Sequence, residues 1–299
     1  MTACRAGSSA RTLPAMPRIR ALLLWIALAA ASGAHAQDTV EAVQVQRALI
    51  DAQVARFSGG PDPRGRVYFL GFAGYGEERV FAEEIKLAAQ RVGERYGSAT
   101  RSVLLLNDRR DLTTWPLASA SSLRYSLQEV ARVMNRDEDV LFLALSSHGS
   151  RNATIDVSNT GMTEQALSAR MVAKMLEETG IKWRVVVVSA CFSGTFIKPL
   201  ADSHTIVIAA AAKNRSSFGC SDQRDLTYFG EAFYRDALPH STYLRAAFDA
   251  ARMDIRERER EEDFTPSQPQ GYFGLLMEEK LRAIEQSTAR ALAAPDQGR

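Results

Sequence analysis

Five short runs of apolar and β-branched residues recur along the chain, at Val67–Phe72, Ser102–Asn107, Val140–Ser146, Arg184–Ala190 and His204–Ala210. Runs of this length without polar alternation predict strands buried on both faces. Between them, apolar positions recur at helical spacing over Arg79–Arg95, Ser121–Met134, Thr163–Glu178 and the shorter Phe196–Ala201. Strands alternating with helices predict an α/β fold, a mostly parallel sheet with helices on both faces. Two more helices are expected at Tyr228–Leu238 and Ser241–Glu262, the second ending in a run of mixed charge that reads as a solvated face. A weaker helical pattern covers Gln37–Val54. The turn-rich stretches Ser58–Gly65 and Thr265–Gln270 divide the chain into an N-terminal segment and linker (37–65), a main domain (66–263) and a C-terminal extension (264–299).

The first 36 residues have a different pattern. Arg5, Arg11, Arg18 and Arg20 precede an apolar run from Ala21 to Ala31, and Ser32-Gly33-Ala34-His35-Ala36 comes after it. A basic start, a run too short to span a bilayer and small residues at Ala34-x-Ala36 predict a signal peptide and a periplasmic or secreted protein. An uncleaved N-terminal anchor is the alternative. No second apolar run is long enough to span, so no stable membrane span is expected after signal cleavage.

Composition matters only once that leader is set aside. The 299 residues carry 37 Lys+Arg against 35 Asp+Glu, a net charge of +2. The leader holds four arginines and no acid, so cleavage leaves 33 against 35 and a net charge of −2. Neither balance suits a polybasic nucleic-acid binder or an acidic disordered chain. Cys4 leaves with the leader, and Cys191 and Cys220 remain, too few for a disulfide framework. No Cys-x-x-Cys pair exists, and His204 and His240 have no ligand at metal spacing, so neither a metal nor a cofactor is expected. Gly71-x-x-Gly74-x-Gly76 departs from the dinucleotide fingerprint, and no Gly-Lys-Ser/Thr comes after it.

In open α/β sheets the ligand crevice lies beyond the carboxyl ends of the strands. The third predicted strand runs into Ser146-Ser147-His148-Gly149-Ser150 and the fourth into Ser189-Ala190-Cys191-Phe192-Ser193-Gly194. A histidine and a cysteine thus leave the same sheet edge, as a thiol nucleophile and its proton acceptor require. Gly149 allows close backbone approach, and its amide with that of Cys191 would form an oxyanion hole. Gly194 would admit a tight turn into a helix whose N-terminus favours a thiolate.

These two strand-end motifs resemble those of the legumain (asparaginyl endopeptidase) family of cysteine peptidases. The resemblance runs from about Val67 to about Asp236. It implies a caspase-like three-layer α/β/α sandwich, with His148 as general base and Cys191 as nucleophile of a peptide-bond hydrolase acting on protein or peptide substrates. Gly76-Glu77-Glu78-Arg79-Val80 stands where legumains have Tyr-Asn-Tyr-Arg-His. By that match Arg79 holds a P1 carboxylate or amide, and Glu77 stands at the asparagine that orients the histidine. Two downstream segments, Lys213–Cys220 and Thr227–Glu231, resemble the family's Asn-Pro-Arg-Glu-Ser-Ser-Tyr-Ala-Cys and Thr-Tyr-Leu-Gly-Asp. They imply Ser217 (or Ser216) and Glu231 as partners of Arg79 in selecting a P1 Asn or Asp. Ser147 departs from the aspartate usual before the histidine, and Glu231 from the family's shorter acid.

The same thiol chemistry serves a transamidase or ligase, in which an amine instead of water captures the acyl-enzyme. A non-catalytic caspase-like domain that binds peptides is the reading from a different class. The sequence does not set an oligomeric state.

Overall fold

A computed structural model describes residues 42–58, 65–162, 164–221 and 223–293, with side chains to residue 288. The leader expected at 1–36, the start of the 37–65 segment and residues 59–64 of its linker lie outside the described residues. The described residues from 46 onward form one compact unit; of the preceding residues, 42–45 are described and are helical.

In chain order the elements are α1 (42–54), β1 (Val67–Ala73), α2 (Arg79–Tyr96), β2 (Ser102–Leu106), α3 (Ala120–Val133), β3 (Val140–Ser146), β4 (Gly149–Ser150), β5 (Thr154–Val157), β6 (Gln165–Ser168), α4 (Ala169–Thr179) and β7 (Trp183–Ser189). A 3-10 turn (Ser193–Phe196) leads into α5 (Ile197–Leu200), and β8 (Thr205–Ala209) comes next. Then α6 (Tyr228–Gly230), a π-helical stretch (Glu231–Ala237) and α7 (Leu238–His240) run on as one helix before α8 (Leu244–Glu261), β9 (Gln270–Phe273) and α9 (Leu275–Ala293).

Six strands form the central sheet in the order β2-β1-β3-β7-β8-β9; the first five are parallel, and β9 is antiparallel to β8. Alternation along each strand feeds two cores. In β3, Val140, Phe142 and Ala144 face a cluster built with Phe81, Ile85 and Val92 of α2, Phe248 of α8 and Met277 of α9. Leu141, Leu143 and Leu145 face the opposite cluster, with Leu123 and Leu127 of α3, Val172 and Leu176 of α4 and Leu200 of α5. The result is three layers, α/β/α, as the periodicity predicts. The chain leaves β1 toward β2 on one side and takes up β3 on the other, so the strand order reverses at β1/β3.

Two regions differ from the sequence expectation. Thr163–Glu178 is expected as one helix, but residues 165–168 form β6, paired with β5 and β4 in a small antiparallel sheet inserted after His148. Ile155 and Leu167 are buried and paired across it, and α4 starts only where Ser168 caps it by accepting the Met171 N–H at 3.2 Å. The N-terminal segment, expected to precede the domain, instead joins it. Ile50 and Val54 of α1 lie in the second core. Gln53 exchanges two hydrogen bonds with the Leu104 backbone, at 3.1 and 2.8 Å, closing the open edge of β2 as a neighbouring strand would. The C-terminal residues supply β9, and Met277, Leu281 and Ile284 of α9 enter the first core. Among the described residues no helix is long and apolar enough to cross a membrane.

Candidate active site

The β3–β7 register pairs Val140 with Trp183 and Ser146 with Ser189. His148 and Cys191 therefore stand two residues beyond a matched pair, on strands that run about 4.8 Å apart. The Ser147 N–H donates to the Ser189 carbonyl at 3.2 Å, carrying the pairing past the sheet end. At Gly149 the two chains touch: a Cβ there would lie 2.1 Å from the Cys191 carbonyl oxygen. Only glycine permits this approach, which keeps the His148 and Cys191 segments adjacent.

Cys191 is a free thiol, in hydrogen-bond contact with the backbone of Ser217. Its sulfur accepts the Ser217 N–H at 3.3 Å and faces the Ser217 carbonyl at 3.5 Å. Phe192, next in the chain, has φ +57, a left-handed conformation that is costly for a bulky side chain. Its N–H bonds the Arg215 carbonyl at 2.8 Å, and the Arg151 guanidinium lies 4.6 Å from its ring centre. A 3-10 turn and one α turn come next, close to the short Phe196–Ala201 helix expected, so helix-end charge at the thiol is small. Gly194 is needed for a different reason: a Cβ would lie 2.6 Å from the Lys213 nitrogen, where the chain packs on the segment after β8.

The His148 ring packs in T-shaped contact with Tyr75 and Phe81, with centroids at 4.7 and 5.0 Å. Its Nε2 lies 3.1 Å from Glu78 Oε2. Glu77, the orienting residue expected from the sequence, points elsewhere and pairs with Arg109 at 3.0 Å. The reason is local geometry. The chain is extended at Glu78, just before α2 begins, so consecutive side chains face opposite ways and only one of the two can reach the histidine.

The expected P1 residues are also distributed differently. Arg79, the first residue of α2, pairs with Asp225. Ser217 stands beside Cys191, in contact through its backbone. Glu231 does not oppose Arg79; it is nearly buried and engaged by Arg224, Arg235 and Arg258. Burial alone would raise its carboxyl, but the Arg258 and Arg235 guanidinium groups outweigh this and hold it below the ordinary glutamate range. Glu231 thus ties the 220s loop, the π-helical stretch and α8 together, a role its longer side chain suits.

Cys220 is also a free thiol. Burial, with the nearby Cys191, Glu84 and Glu78, pushes it well above the ordinary cysteine range, so it stays protonated. Among the described residues no group of three or more His, Cys, Asp or Glu side chains is arranged to hold a metal ion. Sequence reasoning missed Glu78 and Asp225. Glu78 is the immediate neighbour of two positions it singled out, in a segment where extended backbone decides which side chain turns inward; Asp225 lies in a loop, two residues before the Thr227–Glu231 segment.

No curated protein matches the chain. Among solved structures, caspase-1 from Spodoptera frugiperda is similar at 9% identity, over 73% of this chain and 92% of that chain, with a TM-score of 0.47. The sequence profile of the peptidase C13 family matches residues 121–279, which include His148 and Cys191. That span is more than half of the chain, and the chain belongs to the peptidase C13 family, the legumain-type cysteine peptidases.

Proposed function

We propose that the protein hydrolyses peptide bonds through a His148/Cys191 dyad. The observation that carries this is the β3–β7 register, with Ser146 opposite Ser189 and the two reacting side chains each two residues further on. His148 takes the Cys191 thiol proton, and the thiolate attacks the scissile carbonyl. The N–H groups of Gly149 and Cys191 stabilise the oxyanion. The protonated His148 then gives its proton to the leaving amine, and water cleaves the thioester to release the acid and the free thiol. With Nε2 against Glu78, Nδ1 is the nitrogen that exchanges the proton with sulfur.

The Arg79–Asp225 pair supports a P1 Asn or Asp reading in which Asp225 replaces Glu231 as the acidic partner. An asparagine amide accepts from a guanidinium and donates to a carboxylate, and so engages both without separating them. The leader pattern supports export before action, with a mature chain beginning at Gln37.

Peptide cleavage by the wild type, Cys191→Ala and His148→Ala, with product ends read by mass spectrometry, tests the dyad. Each variant is expected to lose about a thousandfold or more in kcat/KM. A Cys191→Ala protein that still cleaves at the wild-type rate overturns the reading. Cleavage of a P1-scanned library after basic or bulky apolar residues would overturn the specificity.

A further inference from the structure

Glu84 lies on α2 with none of its surface exposed, at a position where the helix otherwise presents Val80, Phe81, Ile85 and Ala88 to the core. Its carboxyl sits beneath the carboxyl ends of β3 and β7. Oε2 accepts the Thr227 hydroxyl, and the Ser189 and Ser146 hydroxyls also face the carboxyl. Ser189 and Thr227 are themselves 3.3 Å apart. Ser146 and Ser189 are the register pair two residues before His148 and Cys191. Thr227 caps the helix that starts at Tyr228, accepting the Gly230 N–H at 2.9 Å, and a Cβ at Gly230 would lie 2.4 Å from Glu84 Oε2. One carboxyl therefore joins the two strand ends that carry the reacting side chains and the helix that comes after the Cys220 loop.

We propose that Glu84 is a positioning residue for the catalytic pair, fixing the spacing of the β3 and β7 ends from below the site. The inference rests on His148 and Cys191 being the reacting residues. Among the described residues the partners of Glu84 are hydroxyls, not cations. Cys220 and Tyr234 are the other titratable groups that face it, and its presence helps push both upward, so neither supplies a positive charge. Burial raises the carboxyl above the ordinary range, against the lowering effect of the hydroxyl bonds. Glu84 Oε1 and Ser146 Oγ are both sealed from solvent without a partner at hydrogen-bond geometry. A protonated carboxyl would present a donor at Oε1 on the serine side while Oε2 accepts from the threonine. Burial favours the neutral acid, which has one donor and one acceptor edge.

Peptide cleavage over pH 5 to 8 by the wild type, Glu84→Ala and Glu84→Gln, with Cys191→Ala beside them, tests this, together with the pH dependence of Cys191 alkylation. Glu84→Ala is expected to lose roughly ten- to a hundredfold in kcat with little change in KM, because sub-ångström displacement of reacting groups costs rate before it costs binding. Glu84→Gln, whose amide keeps a donor and an acceptor, rescues most of that loss and leaves the alkylation midpoint where it was. A folded Glu84→Ala with wild-type kcat overturns the proposal. So does a Glu84→Gln as slow as Glu84→Ala, or one whose alkylation midpoint falls by about half a pH unit or more, since either outcome requires a charged carboxylate. Activity retained by Cys191→Ala would instead overturn the dyad.

Discussion

At the residue scale, two adjacent glutamates have different fates because the backbone before α2 is extended. Glu78 turns to His148, and Glu77 turns to Arg109 on the surface. Glu78→Ala is therefore expected to lower kcat/KM by about tenfold or more, as loss of a histidine's orienting partner does. Glu77→Ala stays within about threefold, because an exposed pair contributes little. Steady-state kinetics on the two variants decide it, and equal losses would return the orienting role to neither. The two thiols are also distinguished by surroundings. Cys191 accepts the Ser217 N–H, whereas burial and neighbouring acids keep Cys220 protonated. Iodoacetamide at pH 8 is expected to label Cys191 and spare Cys220 in the native protein, and peptide mapping reads this directly. The position of the histidine and cysteine was legible because each ends an apolar strand. Which carboxylate serves them was not, because that depends on the direction of one side chain at a helix start. Glu84 left a visible trace, a charge within the apolar stripe of α2 at 80, 81, 85 and 88.

At the element scale, the site depends on two segments packed backbone to backbone beyond β3 and β7. Gly149→Ala would set a methyl group 2.1 Å from the Cys191 carbonyl oxygen and 3.0 Å from the Ala190 Cβ, which leaves little room to shift. Overpacking of this kind costs about 1–3 kcal/mol. The expected result is a lower Tm together with a loss of activity larger than the stability change explains, since the two reacting segments are forced apart. Thermal unfolding and kcat measured on one preparation check both. The five parallel strands were legible because burial on both faces leaves uninterrupted apolar runs. The β4–β6 sheet was not, since four-residue strands such as Thr154-Ile155-Asp156-Val157 depend on pairing partners that local sequence does not name. The helical reading of Thr163–Glu178 failed at its first turn for the same reason: pairing with β5 overrides local propensity up to Ser168.

At the scale of the whole molecule, α1 and the ionisable interior set how the protein responds to truncation and to pH. Removing residues 37–64 as though they were a detachable segment strips Ile50 and Val54 from the core and reopens the β2 edge closed by Gln53. Each of the two apolar side chains stabilises by about 1.5–3 kcal/mol, so a chain starting at Gly65 is expected to unfold earlier and to self-associate, whereas one starting at Gln37 does neither. Light scattering and thermal melts of the two proteins separate these outcomes. The pH response comes from two carboxyls shifted in opposite directions. Glu231 is depressed by its arginines, so its contribution is present above the ordinary value of 4.5 and is lost as pH falls through its folded pKa. Glu84 is raised by burial, so the unfolded chain releases its proton first and stability falls as pH climbs from about 4.5 toward the folded pKa. Each pH unit between the folded and unfolded values is worth about 1.4 kcal/mol. Glu84→Gln cannot titrate, so its stability relative to the wild type is expected to rise as pH climbs above about 4.5 in denaturant melts. Glu231→Gln is expected to flatten the acid limb instead, while lowering stability at neutral pH by leaving three guanidinium groups around an uncharged amide. Parallel stability curves for the wild type and Glu84→Gln would mean that the carboxyl beneath the catalytic strands is ionised, and its hydroxyl partners would then be donors to an anion.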